Sequence, residues 1–473
     1  MNRREFIKKS GQVFGAVATS AGFLNSCFSN QEQPNIILIN IDDLGWADVG
    51  IHGPNDYYET PNIDQLAREG MVFSQAYASA ANCAPSRACL MTGLNTPRHG
   101  IYTVGTSARG KAKDRKLIPT KNIVTLDKKF STLPEVLQTE GYKCCHAGKW
   151  HLSDDPCEYG FDANIAGCHW GNPSPGGGYF PEWNFPNFPE GKNGEYLTDK
   201  ITDYVLKFVE DNQDSPFFIN YAPYIVHSPL QGKEELIDKY SQKENTKGHN
   251  DPRYAAMVET MDRNVGRLLK HLNNLGLEKN TFLIFTSDNG GVYRWTKQWP
   301  LRAGKGSYYE GGIREPLIIR WPEKVEAGSK IDVPVTNLDF YPTILEVCGI
   351  KKPANKRLDG KSLMPILTQS GSLPKRPLFW HFPIYLQGGN QETRDVKFRT
   401  RPGSVIRYGD WKLHEYFEDG DLELYNLKED IGEQNNLVDK YPEKAKQLHN
   451  RLKKWRQKVN APVPKKLNPK YET

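Results

Sequence analysis

Asn35-Ile36-Ile37-Leu38-Ile39-Asn40-Ile41-Asp42-Asp43 is an almost unbroken apolar run that ends in two adjacent carboxylates. A strand with one face in water alternates apolar and polar residues, whereas a strand covered on both faces does not. The run therefore predicts a strand buried within a parallel sheet. Open α/β sheets gather ligands beyond the carboxyl ends of such strands, where Asp42 and Asp43 would lie. Asp-Asp is also ordinary turn chemistry, so the pair alone decides nothing. The pattern returns far downstream: Phe282-Leu283-Ile284-Phe285-Thr286 leads to Asp288-Asn289-Gly290-Gly291. Two apolar strands, distant in sequence, would then deliver oxygen ligands to one sheet edge.

The segments between alternate helix and strand, as an α/β domain requires. Pro61 to Arg68, with Thr60 as N-cap and Gly70 as stop, predicts a helix leading into a strand from Met71 to Ala76. Thr132 and Glu135 form a capping box for a helix that ends near Gly141. Gly160 to Gly194 is dense in Gly, Pro, Asn and aromatics and predicts a long surface loop, a candidate lining for a substrate entrance. Pro216 to Tyr221 is a further buried strand, and Met257, Met261, Val265, Leu268, Leu272 and Leu275 keep helical spacing. After about Pro374 the texture changes. Ser404 to Tyr408 and Trp411 to His414 flank Gly409-Asp410 as a hairpin, Leu422 to Leu427 adds a strand, and Ala445, Leu448, Leu452, Trp455 and Val459 share a helical face.

Asn82-Cys83-Ala84-Pro85-Ser86-Arg87-Ala88-Cys89-Leu90-Met91-Thr92-Gly93 places a cysteine just ahead of a proline suited to a first helical turn. Free N–H groups and the helix dipole favour an anion there, and Arg87 could aim a guanidinium at the same spot. On these residues alone a buried cysteine before an ordinary helix is the favoured reading, because Cys is among the most buried residue types. Three more stretches bear chemistry-capable side chains: Gly148-Lys149-Trp150-His151, where alternation on an extended chain would turn Lys149 and His151 to one side; His227-Ser228-Pro229 after an apolar strand; and Lys305 within Leu301 to Pro316.

Taken together these stretches resemble the type I sulfatases, the formylglycine-dependent branch of the alkaline phosphatase superfamily. Cys83-x-Pro85-Ser86-Arg87 is similar to the first signature, Gly141 to Leu152 to the second, and Leu301 to Pro316 to a third, lysine-bearing loop. The resemblance runs from Asn35 to about Val459, in family order. It implies an α/β fold: a large mixed, mostly parallel sheet sandwiched by helices, alkaline phosphatase-like, with a smaller C-terminal α+β subdomain holding a short antiparallel sheet. The expected boundaries are 1–33 for a leader, 34–375 for the catalytic domain, 376–465 for the subdomain and 466–473 for a tail.

The activity implied is hydrolysis of a sulfate ester on a saccharide. The resemblance also implies that Cys83 becomes formylglycine through a formylglycine-generating or anaerobic sulfatase-maturing enzyme. It maps metal ligands onto Asp42, Asp43, Asp288, Asn289 and the modified Cys83. Oxygen donors of this kind suit a hard cation, Ca²⁺ more readily than Mg²⁺. By the same resemblance Arg87 orients the formylglycine diol, Lys149 and Lys305 hold the sulfate, His151 is the base for the eliminating hydroxyl, and His227 gives a proton to the departing sugar oxygen. Arg314 and His381, the latter in Phe379-Trp380-His381-Phe382-Pro383, are candidate contacts to the organic part of the substrate, with packing roles equally open. A phosphomonoester or phosphonate hydrolase of the same superfamily is the nearest competing reading. An inactive glycan-binding surface protein is the competitor from another class, and against it every mapped catalytic position is filled.

Among 473 residues the net charge is only +6, with basic and acidic residues interspersed, which does not point to nucleic acid. Asn2-Arg3-Arg4-Glu5-Phe6-Ile7-Lys8-Lys9 precedes Val13 to Leu24, an apolar stretch too short for an ordinary membrane span, and resembles a twin-arginine export signal. Leu24-Asn25-Ser26-Cys27 resembles a lipoprotein processing site with an atypical Asn25, making Cys27 a candidate for lipidation and membrane anchoring. The expectation is a bacterial protein exported to the periplasm or outer surface. Cys89, Cys144, Cys145, Cys157, Cys168 and Cys348 show no zinc spacing; Cys157 with Cys168 is the disulfide to test first, against buried thiols.

Overall fold

Every residue of the strand Asn35–Ile41 is buried, as its apolar run requires. The structure, a computed structural model, describes residues 33–52, 57–244 and 248–472. The export and lipidation readings, with Cys27, lie outside the described residues. The main sheet is built from β1 (Asn35–Ile41), β2 (Met71–Phe73), β3 (Lys143–Gly148), β4 (Ala163–Ile165), β5 (Phe217–Ala222), β6 (Thr281–Ser287), β7 (Leu317–Arg320) and β8 (Ser329–Ile331). Their spatial order is β8-β2-β7-β6-β1-β5-β3-β4, and only β7 runs against the rest.

Side-chain alternation along β1 explains why both faces are apolar. Ile37, Ile39 and Ile41 enter one core with the helix α1 (Pro61–Glu69) and with Leu197–Asp211 and Pro252–Asn274. Ile36 and Leu38 enter the opposite core with the helix α2 (Cys83–Thr92), Leu133–Thr139 and Phe340–Val347. The central pairing is unbroken, from Asn35 opposite Thr281 to Ile41 opposite Ser287, so whatever follows β1 and β6 emerges at one level.

The C-terminal sheet is antiparallel, in the order β9 (Leu378–Phe382), β10 (Gly403–Tyr408), β11 (Trp411–Tyr416), β12 (Leu422–Asn426). Leu448 and Leu452 of the helix Pro442–Val459 close its outer face over Ile406, Leu413 and Leu424. Its inner face joins the main body through Trp380 and Phe382, which cluster with Tyr77 and Tyr308. A wholly buried charge network adds a second tie: Lys412 Nζ bonds Glu310 Oε1 at 2.9 Å and Glu433 Oε1 at 3.0 Å. From Pro34 onward the chain is one compact unit, so the C-terminal part is a subdomain of it.

The capping box forms as expected, with Thr132 N–H donating to Glu135 Oε2 at 2.7 Å. Three expectations change. The strand expected from Met71 to Ala76 is two: Met71–Phe73 pairs within the main sheet, the chain turns at Ser74 and Gln75, and Ala76–Tyr77 joins a separate three-stranded sheet. The loop from 160 to 194 contributes the edge strand β4, whose three half-buried residues give no apolar run. Cys157 and Cys168 do not pair: all described cysteines are free thiols, with Cys157 exposed and Cys168 buried beside Tyr224.

Gly148 ends β3 at φ 102°, and a Cβ there would stand 2.2 Å from the Ala222 carbonyl oxygen. Gly141 has a similar φ of 90° but open space around it. Gly148→Ala is expected to cost at least about 2 kcal/mol and Gly141→Ala only about 1 kcal/mol. Thermal unfolding of both variants tests this, and equal losses would contradict it.

Candidate active site

Beyond the ends of β1 and β6, Asp42, Asp43 and Asp288 are all essentially inaccessible to solvent. The turn is pinned from both strands: Asp288 N–H donates to Ile41 O at 3.1 Å, Asp43 N–H to Asp288 Oδ1 at 3.2 Å, and Leu44 N–H to Ser287 Oγ at 3.1 Å. Asp43 sits at φ 62°, a left-handed conformation that Asp tolerates better than most residues. Asp48 braces the turn from behind, accepting from Gly45 N–H at 2.7 Å and from Tyr254 Oη at 2.6 Å. Asp48, Ser287 and Tyr254 were not singled out from sequence; an acid in an uncharged stretch just past the Asp pair was the available signal for the first.

Three cations meet these acids. Lys149, in the turn after β3, puts Nζ at 2.8 and 2.7 Å from the two oxygens of Asp42 and is wholly buried. Lys305 Nζ lies 2.6 and 2.8 Å from the oxygens of Asp43. Its loop is tied to Gly291 and to Ala81, on either side of the site, by Lys305 N–H to Gly291 O and Gly306 N–H to Ala81 O, both 2.8 Å. Arg87 comes from α2, a helix buried at every position and closed by Gly93 at φ 66°. It donates through Nε to Asp288 Oδ2 at 2.7 Å and through Nη1 to Lys149 O at 2.6 Å, and its buried Nη2 has no hydrogen-bond partner. Cys83 is the first residue of α2, one turn before Arg87 and on the same face, and only 2% exposed.

Charge and burial compete across this cluster. Burial, with Asp288 and Asp43 alongside, outweighs Lys149 and Arg87 and pushes the Asp42 carboxyl up to about 7. Asp43, though equally buried, is held below the usual carboxylate range by Lys305 and His227. Against burial, Asp43 and then Cys83, Asp42 and Asp288 hold Lys305 above its ordinary value. His227 is pushed down to about 3 by burial and Lys305, and His151 well below its ordinary value by burial, Lys149 and Arg87. Both imidazoles are therefore neutral. His227 Nδ1 lies 2.8 Å from Ser228 O, which can only accept; the N–H is thus on Nδ1, and Nε2, 3.5 Å from Asp43 Oδ2, carries the lone pair. His151 is not on a strand as expected; β3 has ended and His151 sits at φ 64°, with Gly171 leaving room for its ring and Nδ1 unpartnered.

Asp42, Asp43 and His227 each offer one ligand atom, all within 4.8 Å of one another. Asn289 turns its amide nitrogen to Asp43 Oδ1 at 2.8 Å and leaves its buried Oδ1 with no partner. A cluster of carboxylate oxygens plus a stranded amide oxygen has the chemistry of a hard-cation site. The structure thus brings together Asp42, Asp43, Cys83, Arg87, Lys149, His151, His227, Asp288, Asn289 and Lys305. It does not bring Arg314 or His381 to them as free contacts. His381 lies on β9, 1% exposed, with both ring nitrogens engaged, at 2.7 Å by Ser404 Oγ and 2.9 Å by Pro462 O. Arg314 donates to Ser74 O and Glu310 in the interior. For both, the structure shows the packing role that stood open beside substrate contact: β9 and the buried Glu310 network, which the sequence did not reveal, engage them.

The family model described as Sulfatase matches residues 34–350, and the one described as N-sulphoglucosamine sulphohydrolase, C-terminal, matches residues 304–458. The chain belongs to the sulfatase family and is a sulfuric ester hydrolase of the type I branch of the alkaline phosphatase superfamily. A protein of Formosa agariphila described as a sulfatase is 34% identical over 512 residues, covering 91% of this chain and 90% of the relative. N-acetylgalactosamine-6-sulfatase of Mus musculus is 33% identical over 374 residues, 74% of this chain and 69% of the relative. The crystal structure of Ps i-CgsB aligns with a TM-score of 0.75 at 31% identity, over 89% of this chain and 92% of that one; its complex with k-i-k-neocarrahexaose aligns equally well, at 0.74.

Asp42 gives a pH signature to the metal-free protein. Its folded value of about 7 lies above the ordinary 3.8, so the folded state keeps a proton that the unfolded chain releases, and stability falls as pH rises between the two. A divalent cation competes with that proton. Chelator-treated protein is expected to gain more in Tm from added divalent cation at about pH 7.5 than at about pH 5. A gain independent of pH would contradict the assignment, and Asp42→Asn should flatten the difference.

Proposed function

We propose that the chain removes sulfate from a sulfated saccharide, with Cys83 converted to formylglycine as nucleophile and Ca²⁺ held by Asp42, Asp43, Asp288, Asn289 and the modified residue. The observation that carries this reading is Cys83 at the first turn of a buried helix, one turn from an arginine bonded to a carboxylate of the acid cluster. A converted Cys83 supplies a hydrated aldehyde as nucleophile, and a bound Ca²⁺ supplies the charge that makes its hydroxyl acidic.

The chain's own side chains do the rest. The carboxylates of Asp42, Asp43 and Asp288 are matched by Lys149, Lys305 and Arg87, so a divalent cation would leave the site with excess positive charge, suited to an anionic ester. Lys149 and Lys305 hold the sulfate oxygens, and the open Nη2 of Arg87 donates toward the diol. His151, with an unpartnered nitrogen, takes the proton whose loss expels sulfate. His227 exchanges its proton through Nε2; an anion that offsets Lys305 raises its pKa toward the range where it can protonate the leaving oxygen. The saccharide assignment is supported by the relative named for N-acetylgalactosamine and by the hexaose complex. The basic run and apolar stretch between Asn2 and Leu24 support export from a bacterial cytoplasm, with a maturing enzyme acting on Cys83 before or during export.

Mass spectrometry of the peptide bearing residue 83, from active protein, should show the aldehyde in place of the thiol. Cys83→Ala should lower kcat/KM on an aryl sulfate by about 10⁴-fold or more with Tm retained. An intact thiol throughout active protein, or retained turnover in a clean Cys83→Ala preparation, would overturn the assignment. A matched aryl phosphate hydrolysed faster than the sulfate would favour the phosphoester reading instead.

A further inference from the structure

Beside the ring of paired charges, Arg109 and Arg399 stand without acidic partners among the described residues. Arg109 lies in the loop after Gly105, and Arg399 in the short strand Phe398–Thr400 of the C-terminal subdomain. The backbone brings them together. Tyr385 N–H donates to Ser107 O at 2.9 Å, Ala108 pairs with Tyr385, and Gly110 is so close to the Phe398 ring that a Cβ would stand 2.7 Å from it. Arg399 donates through Nε to Gln387 O at 3.1 Å and through Nη1 to Lys305 O at 3.3 Å. Its fork is thereby fixed over the residue whose ammonium grips Asp43. Among the described residues neither arginine has a carboxylate partner, and the Arg109 guanidinium makes no hydrogen bond to the protein.

This arrangement is unfavourable in the free protein. Burial and then the charge of Arg109 hold Arg399 below its ordinary value, and burial does the same to Arg109. Two half-buried like charges, neither neutralised, favour an anion arriving from outside. The scissile sulfate does not account for them. Lys149, Lys305 and Arg87, 0%, 11% and 3% exposed, are each taken up by a carboxylate of the cluster, whereas the half-buried Arg109 and Arg399 are not. Arg109 nonetheless feels the charge of the Cys83 side chain and Arg399 that of Asp43, so both border the reaction centre. Bordering the reaction centre without being used in it, they are available to a part of the substrate other than the scissile sulfate.

Building on the saccharide-sulfatase reading above, we propose that Arg109 and Arg399 form a clamp for a second anionic group, sulfate or carboxylate, carried by the saccharide next to the sulfate that is removed. The preferred substrate is then a saccharide with at least two anionic groups in neighbouring positions.

Steady-state kinetics on three defined oligosaccharides of one linkage test this: monosulfated and otherwise neutral, disulfated, and monosulfated with an adjacent uronate. The wild type should favour one or both doubly anionic substrates by about tenfold or more in kcat/KM, and Arg109→Gln should erase most of that preference, chiefly through KM. The substrate whose advantage is lost identifies the second group. Arg109→Lys should recover only part, because an ammonium lacks the planar fork. Arg399→Gln should act in the same direction. Wild-type enzyme that hydrolyses the neutral monosulfated sugar as fast as the others overturns the clamp while leaving the sulfatase reading intact. Equal losses on all three substrates in Arg109→Gln overturn it too. No hydrolysis of any sulfate ester by the wild type would instead overturn the reading on which the clamp rests.

Discussion

Three carboxylates and three cations buried at one sheet edge are the constraint around which this protein is built. An isolated charge cannot be taken out of water without a penalty of several kcal/mol, and pairing repays it only with close, well-directed bonds. Each partner therefore has to be delivered to within hydrogen-bond distance by a rigid element. The unbroken β1–β6 register sets Asp42, Asp43 and Asp288 at one level; the end of β3 brings Lys149; a wholly buried helix brings Arg87. Lys305 comes on a loop instead, and that loop is tied at Lys305 and Gly306 to Gly291 and Ala81 and braced through Glu310 by the buried Lys412 of the C-terminal sheet.

The balance within the cluster explains what it can accept. Its six charges cancel in pairs, yet several polar atoms stay open: Asn289 Oδ1, Arg87 Nη2 and His151 Nδ1 are buried and unpartnered. An acceptor stranded beside carboxylates calls for a cation, and a donor stranded beside Cys83 calls for an anion. One ion pair of opposite sign entering together, a metal and the sulfate it orients, would satisfy both. Glu315 marks the limit of this tolerance. It is wholly buried near Asp288, and burial and that neighbour push its carboxyl well above the usual range, so the site does not carry a fourth negative charge there.

Much of this was legible in the sequence because the central strands announce themselves. β1, β5 and β6 are fully buried and read as apolar runs, and the acids that matter follow two of them directly. The helix of Cys83 was marked at its start by Pro85 and at its end by Gly93. What sequence concealed was of another kind. β4 is half-buried and only three residues long, so it carries no periodic signal, and β9 was hidden by its aromatic, mixed composition. His381 looked available because nothing local shows that Ser404 and Pro462 close over its ring. His151 was expected on a strand, and its left-handed turn reaches the same place by another route.

The arginine pair was invisible for a deeper reason. Arg109 and Arg399 belong to segments far apart in sequence that meet through a backbone bridge at Tyr385, a contact between Gly110 and Phe398 and the Lys397–Asp114 ion pair, and no motif spans such a distance. Their placement divides labour within the fold. The main sheet supplies the acids, and its loops and buried helix the cations that match them, all of which serve any sulfate ester alike. The C-terminal subdomain reaches Lys305 O through Arg399, the arginine it contributes to the proposed clamp. Substitutions at the inner cluster would disturb the charge balance that keeps the edge folded. Substitutions at the rim meet no such demand, since neither arginine is needed to neutralise a buried acid. Specificity can then vary at the rim while the chemistry beneath it stays fixed, and in the clamp proposed above it is the unpaired charges, rather than the paired ones, that read the rest of the substrate.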